Sequence, residues 1–477
     1  MGMADVGVRS RRGRSLTLGA VVAVTAATLP WFTGIGEAAV PRLALNQPGD
    51  SMRPGTPAAN ADVDGMWSGV AQWPSVALHA VLDQDGQLVT YGAIITPDNT
   101  ILQGGLQYDT WDPATGGPSV GSHVLSAFVG VDSFCSIAVP QQGNSLFVVG
   151  GNTQYSAGNY DPVTGVFTRE PTDLQQPRWY GSMIRLPDDR MVIVGGSQPH
   201  QSEPVLDANV ALTPEIYTKG QGWRSLTGAT SAQYFGGAMS RWWYPKSFLA
   251  PNGKIFGISY DRMWQLDING NNGTGAITNK GTISAAQSTA LGPAASAVMF
   301  APGKILLAGG NQISNMTVSN ASTDAIVIDI NSLSSGNATV TDTGSMHRGR
   351  NWNNLLALPD GTVIAVGGTP VGNDTSINPS LSAEVWDPAT NAWTELAPAT
   401  KPRSYHNTAV LLPNGSIYSG GGGAPGYPAQ ENSQENAEFF YPPYLFKKVG
   451  NQVQWASRPQ ITSMSGYLEL GGQIQMD

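Results

Sequence analysis

Apolar residues in this chain come in short alternating runs, and pairs of runs are joined by a turn of Pro, Asp or Asn leading into Gly. Two clear copies read Leu-Ala-Leu-Pro-Asp-Gly-Thr-Val-Ile-Ala-Val-Gly-Gly at 356–368 and Val-Leu-Leu-Pro-Asn-Gly-Ser-Ile-Tyr-Ser-Gly-Gly at 410–421. Asp-Gly and Asn-Gly supply the positive φ of a tight hairpin, and the period-2 alternation marks half-buried strands. Seven segments carry the pattern: Leu78–Gly92, Phe134–Gly151, Tyr180–Gly196, Tyr244–Gly257, Ala295–Gly310, Trp352–Gly368 and His406–Gly422. Between the hairpins lie outer-strand signals that end in Asp-Pro turns: Trp111-Asp-Pro-Ala-Thr-Gly, Tyr160-Asp-Pro-Val-Thr-Gly and Glu384-Val-Trp-Asp-Pro-Ala-Thr-Asn-Ala-Trp393.

The turn glycines at 86, 143, 253, 303, 361 and 415, with Asp189-Arg190 at the third turn, recur at roughly 50–60 residues, the period of a four-stranded kelch blade. The fold class predicted is all-β: a closed seven-bladed kelch-type β-propeller over residues 60–445, which leaves few free strand edges. A string of separate β-sandwiches is the competing architecture, and the regular Gly-Gly period argues against it. Seven residues before the Pro of each turn stand Tyr180, Tyr244, Ala295, Trp352 and His406. Equivalent repeats place these residues in one layer at the start of the same strand, around one mouth of the central channel. Tyr405 precedes His406, and Cys135 lies in the blade before that of Tyr180. Tyr244 and Trp352 read equally well as walls of a substrate entrance or as channel filling.

The chain has 477 residues, 58 of them Gly and 33 Pro, and only 12% are charged. That suits many short strands and tight turns, and it excludes a disordered chain. Residues 1–38 read as a signal peptide: Arg9, Arg11, Arg12 and Arg14, then an apolar run from Leu16 to Phe32, then Gly36-Glu37-Ala38. Arg11-Arg12 fits a twin-arginine export route only loosely. A membrane partner is expected only if this segment stays uncleaved. Residues 39–59 form a linker. The formal charge is −9, and removing the first 38 residues, which carry +2, leaves about −11. An acidic surface without basic clusters excludes nucleic acid as a partner. The expected location is secreted. Six Asn-x-Ser/Thr sites (Asn272, Asn315, Asn320, Asn337, Asn373, Asn414) are glycosylation acceptors in a eukaryotic source, although Asn414 is better explained by its turn.

One cysteine, Cys135, is present in the whole sequence. Taken singly, Cys135 reads as a small buried hydrophobe, Tyr180 and Tyr405 as packing aromatics, and His406 as a satisfied channel histidine. Together they form ordered motifs: Ser133-Phe134-Cys135 before Gly150-Gly151-Asn152, Tyr180 before Gly195-Gly196-Ser197, and Arg403-Ser404-Tyr405-His406 before Gly420-Gly421-Gly422-Gly423. On these motifs the chain resembles the copper radical oxidases, the family of galactose oxidase and glyoxal oxidase. The resemblance implies that Cys135 is joined through its sulfur to the ring of Tyr180 as a thioether cofactor. It implies copper, Cu(II), held by Tyr180, Tyr405 and His406, with Tyr180 carrying the radical and Tyr405 acting as the base. The implied partners are a small aldehyde or primary alcohol and O2, with H2O2 as product and carbohydrate as a further candidate ligand.

The family's fourth protein ligand is a histidine from a C-terminal immunoglobulin-like domain. Here that domain is expected to begin at 455 and to be truncated at 477. His79, His123, His200 and His347 lie in no matching motif, so the site is expected to be incomplete as given. Galactose oxidase carries a stacking tryptophan after the motif corresponding to Gly196-Ser197, where this chain has Gln198-Pro199-His200. The stack over Tyr180 therefore comes from elsewhere or is absent, which leans the substrate toward that of a glyoxal oxidase. The alternative reading is a non-catalytic kelch propeller that binds carbohydrate or protein.

Overall fold

The structure is a computed structural model. It describes residues 53–458, apart from 96–100, 103, 105–106, 115–116, 119–121, 128, 203, 312–318 and 424–432, together with 464–465 and 475–476. The expected signal peptide at 1–38 lies outside the described residues. So does most of the expected sandwich, of which 455–458 and the pair Met464–Ser465 with Gln475–Met476 are described. Among the described residues, no helix is long and apolar enough to cross a membrane. The chain divides into two units, residues 44–456 and a smaller one made of 1–43 with 457–477.

Among the described residues the larger unit is all-β and holds seven antiparallel blade sheets, as the repeat predicts, and one further hairpin, Phe446–Val449 with Gln452–Trp455. Blade I runs from Val76 to Leu125, blade II from Ser136 to Arg169, and blade III from Ser182 to Ser225. Blade IV spans Lys246–Thr282, blade V Ser296–Asp342, and blade VI Asn354–Pro398. Blade VII comprises Asn407–Leu411, Ile417–Gly421 and Asn436–Tyr441, and it is completed by the N-terminal pieces Met66–Trp67 and Ala71–Gln72. That closure leaves the third strand of blade VII no free edge along the paired stretch, which is how a propeller avoids edge-to-edge aggregation.

Each repeat glycine does what its turn requires. Gly86, Gly143, Gly253, Gly303, Gly361 and Gly415 all take φ between 69° and 90°, and Asp189 fills the third turn at φ 68°. Asn414 is buried and caps its own turn, accepting from the Ser416 backbone N–H at 2.9 Å. Second strands are buried and apolar, as in Met191–Val194 and Val363–Val366. First strands, such as Lys246–Leu249 and Asn407–Leu411, are half-buried throughout. Half-burial fits strands that line a central channel rather than a solid core.

Candidate functional site

The segments entering the first strands share a backbone conformation. Cys135, Tyr180, Tyr244, Trp352 and His406 all have positive φ, between 45° and 66°. For bulky L-residues this conformation costs on the order of 1 kcal/mol or more each, and it persists only where surrounding structure imposes it. The backbone N–H of Tyr180 donates to the Cys135 carbonyl at 3.1 Å, and that of Tyr244 to the Tyr180 carbonyl at 3.0 Å. The N–H of Trp352 donates to the Ala294 carbonyl at 2.9 Å. Neighbouring blades are thus stitched together around one mouth of the channel, and the four candidate residues belong to that layer. Ala295, expected in the same layer, is displaced by one residue. The hairpin of blade V shifts register between Met299 and Ala301, so Ala294 makes the stitching bond instead.

Three buried ion pairs hold this layer, and sequence analysis missed them as a set. Arg178, Arg350 and Arg403 lie two or three residues before Tyr180, Trp352 and His406, and each pairs with a fully buried glutamate on the third strand of its own blade: Glu215, Glu384 and Glu438. Each guanidinium also binds the carbonyl of the glycine ending the second strand, Gly195 at 2.7 Å, Gly367 at 2.7 Å and Gly421 at 3.0 Å. The carboxylates in turn accept backbone N–H groups of the segment before each arginine, among them Gln175, His347 and Thr400. Such pairing satisfies charges that would otherwise be prohibitive to bury. The signal was present as Arg two or three residues ahead of an aromatic or His in three blades.

The side chains converge. Tyr180 and Tyr405 hydroxyls are in direct contact. The Tyr180 hydroxyl lies 3.3 Å from His406 Nε2, and Cys135 Sγ lies 3.9 Å from the same nitrogen. Cys135 and Tyr180 lie in the same buried cluster of side chains. His406 Nδ1 lies 2.5 Å from the Gly423 carbonyl. Donating there leaves Nε2 as the bare nitrogen facing the phenols, the usual way a second contact orients a ligand histidine. Burial pushes the Cys135 thiol and the Tyr180 phenol well above their ordinary pKa values, so without a cation both stay neutral.

Two phenol oxygens and one imidazole nitrogen facing one point make a donor set that suits Cu(II). Among the described residues, His, Cys, Asp and Glu alone make no group of three that could hold a metal, so any metal pocket here depends on the phenols. Of the other histidines, His123 bonds Asp109 and His347 bonds Glu384, both away from this point. His200 packs near Trp179. His79 shares a cavity with His406.

The stack that the sequence left unassigned is Trp243. Its ring lies 4.9 Å from that of Tyr180 with a 20° interplanar angle. Trp242 stacks behind it at 5.3 Å and 13°, and Trp179 packs on Tyr180 at 4.1 Å. Tyr244 meets Tyr180 edge-on at 5.1 Å, and Trp352 packs on Tyr405 at 4.8 Å. Both also line the channel cavity, so each fills part of the mouth and bounds the open space beside the site. The stacking residue escaped sequence analysis because it lies some sixty residues beyond Tyr180, in the segment entering blade IV.

A β-propeller with a thiol, two phenols and an imidazole gathered at one channel mouth defines a class, a copper-oxidase scaffold. A family model for the glyoxal oxidase N-terminus matches residues 120–444, and the chain belongs to that family. It is 28% identical over 385 residues to galactose oxidase of Gibberella zeae, covering 76% of this chain and 52% of that protein. It is 24% identical over 324 residues to aldehyde oxidase GLOX1 of Arabidopsis thaliana, covering 62% and 49% respectively. The chain therefore spans about half the length of the curated relatives it matches. Among solved structures, it is similar to a fungal alcohol oxidase of the AA5 family in complex with copper. The TM-score is 0.67 at 22% identity, covering 84% of this chain and 81% of that one. The resemblance to the copper radical oxidases is thus borne out at the level of family and fold.

Proposed function

We propose that this chain is the propeller of a secreted copper radical oxidase that converts small primary alcohols or aldehydes with O2, releasing H2O2. The observation that carries the reading is the convergence of Cys135, Tyr180, Tyr405 and His406 from three blades onto one point. Tyr180, Tyr405 and His406 would hold the metal. Bound Cu(II) would supply one of the two oxidising equivalents that an alcohol or aldehyde oxidation needs. Tyr180 is suited to supply the other, because a sulfur substituent makes a phenol easier to oxidise and Cys135 stands beside it. Joining the sulfur to the ring carbon next to the hydroxyl removes two hydrogens, which the same oxidant, O2, accepts. Tyr405, in contact with the Tyr180 hydroxyl, would take the substrate's hydroxyl proton. Trp243 and Trp179 keep bulk water from the face of the Tyr180 ring. Gly423 and His406 Nδ1 fix the imidazole.

The test is peptide mapping after copper loading in air. The expected result is a cross-linked Cys135–Tyr180 peptide pair whose mass is two hydrogens below the sum of the free peptides, absent in Cys135→Ser. Unmodified peptides together with no copper retained would instead favour a non-catalytic kelch propeller.

A further inference from the structure

The channel cavity beside the candidate site holds polar groups for which the proposed oxidation has no use. It encloses about 320 Å³ and is bordered by Cys135, Tyr405 and His406, and also by Lys246, Asn353 and His79. Lys246 begins the first strand of blade IV and is half-buried; among the described residues its ammonium has one hydrogen-bond acceptor, the Pro293 carbonyl at 3.1 Å, and it lies 6.0 Å from the centre of the Tyr244 ring. Among the described residues, no Asp or Glu borders this cavity or the adjoining one of about 440 Å³, which also meets His79 and Lys246. Asn353 is buried to 94%, being 6% exposed, and neither end of its amide has a hydrogen-bond partner. His79 Nε2 is likewise buried and unpartnered. Burial pulls the Lys246 pKa down to about 8, with no nearby charge contributing.

A half-buried cation without a counter-ion and a buried amide without partners are each costly. Such groups call for a partner such as water, an ion or a ligand. The donors suit one chemistry. A lone ammonium balances one negative charge, which disfavours phosphate or sulfate dianions, and the Asn353 amide adds a fixed N–H donor for a second oxygen. We propose that Lys246 and Asn353, with His79 alongside, bind a small monocarboxylate in the channel. The substrates of the oxidation are then aldehydes or primary alcohols that carry a carboxylate. The second half rests on the oxidase reading; the binding site stands without copper.

The copper-free protein is titrated calorimetrically at neutral pH with glycolate, a carboxylate-bearing primary alcohol, and with ethylene glycol as its neutral counterpart. The expected result is saturable glycolate binding that falls at least about tenfold in Lys246→Met. Binding is expected to fall in Asn353→Ala and to survive in Lys246→Arg, with no saturable binding of ethylene glycol. Each variant's thermal melt shows that it is folded, and Asn353→Ala tests the site independently should Lys246→Met misfold. No saturable glycolate binding to the wild type, or binding in both Lys246→Met and Asn353→Ala unchanged from the wild type, overturns the site. In the copper-loaded protein, the kcat/KM preference for glycolate over ethylene glycol is expected to drop about tenfold in Lys246→Met. An unchanged preference overturns the substrate assignment alone. Failure to bind copper removes the oxidase reading, and the substrate assignment with it, while the glycolate result still decides the site.

Discussion

At the scale of the residue, the chemistry sits where the backbone is strained and the burial is costly. Cys135, Tyr180 and His406 could be singled out as candidates because each belongs to a motif read in order along the chain. Trp243, Lys246 and Asn353 were not, because nothing local marks which side of a strand-entry segment faces the channel. Lys246 gives a stability prediction with a definite sign. Its ordinary value is 10.5 and its folded value about 8, so the fold disfavours the protonated form. Below pH 8 both folded and unfolded chains are protonated and the cost is full; it vanishes as pH rises from about 8 to about 10.5. Lys246→Met is therefore expected to stabilise the protein by on the order of 1–3 kcal/mol at pH 7. The gain should shrink toward pH 10.5. Denaturant melts at pH 7 and pH 10 check this, and an equal gain at both would mean that the amine is not desolvated.

At the scale of the element, the hairpins follow from local rules and the layer above them does not. Turn signals, Asp-Gly or Asn-Gly in four of the seven, and alternating strands identified all seven first hairpins, because those signals act within a few residues. Register is less local. One irregularity between Met299 and Ala301 moved the equivalent position from Ala295 to Ala294. The Arg–Glu clamps depend on partners 34 to 37 residues apart, such as Arg350 with Glu384, which no short motif reveals. They make the strained layer rigid. Glu438→Ala is expected to cost about 3–5 kcal/mol, because it strands a buried guanidinium. Replacing Arg403 and Glu438 together with Met and Leu is expected to cost less than Glu438→Ala alone. A double-mutant cycle by chemical denaturation measures this, and simple additivity would show that the pair is not coupled.

At the scale of the whole molecule, the ring is closed by residues far outside its period. Met66 and Trp67 pair with Tyr441 and Phe440, and Ala71 and Gln72 pair with Ala437 and Asn436. The Trp67 indole reaches across to the Ala397 carbonyl of blade VI at 2.8 Å. A chain lacking residues through Gln72 is expected to expose the Asn436–Tyr441 edge, melt at lower temperature and lose soluble yield. Thermal melting and light scattering against the full chain test it, and an unchanged melt would show that closure contributes nothing. Sequence analysis placed this stretch within the propeller without finding its strands, because two-residue strands carry no periodicity.

The sequence by itself determined the blade count and the turn chemistry. These rest on interactions spanning a few residues, and the repeat displays them seven times. Only the tertiary structure decided which tryptophan covers Tyr180, which strands close the ring and which polar groups face the channel unpaired. Those outcomes depend on where separate blades bring their edges together, and no local propensity encodes a meeting between residues so far apart along the chain.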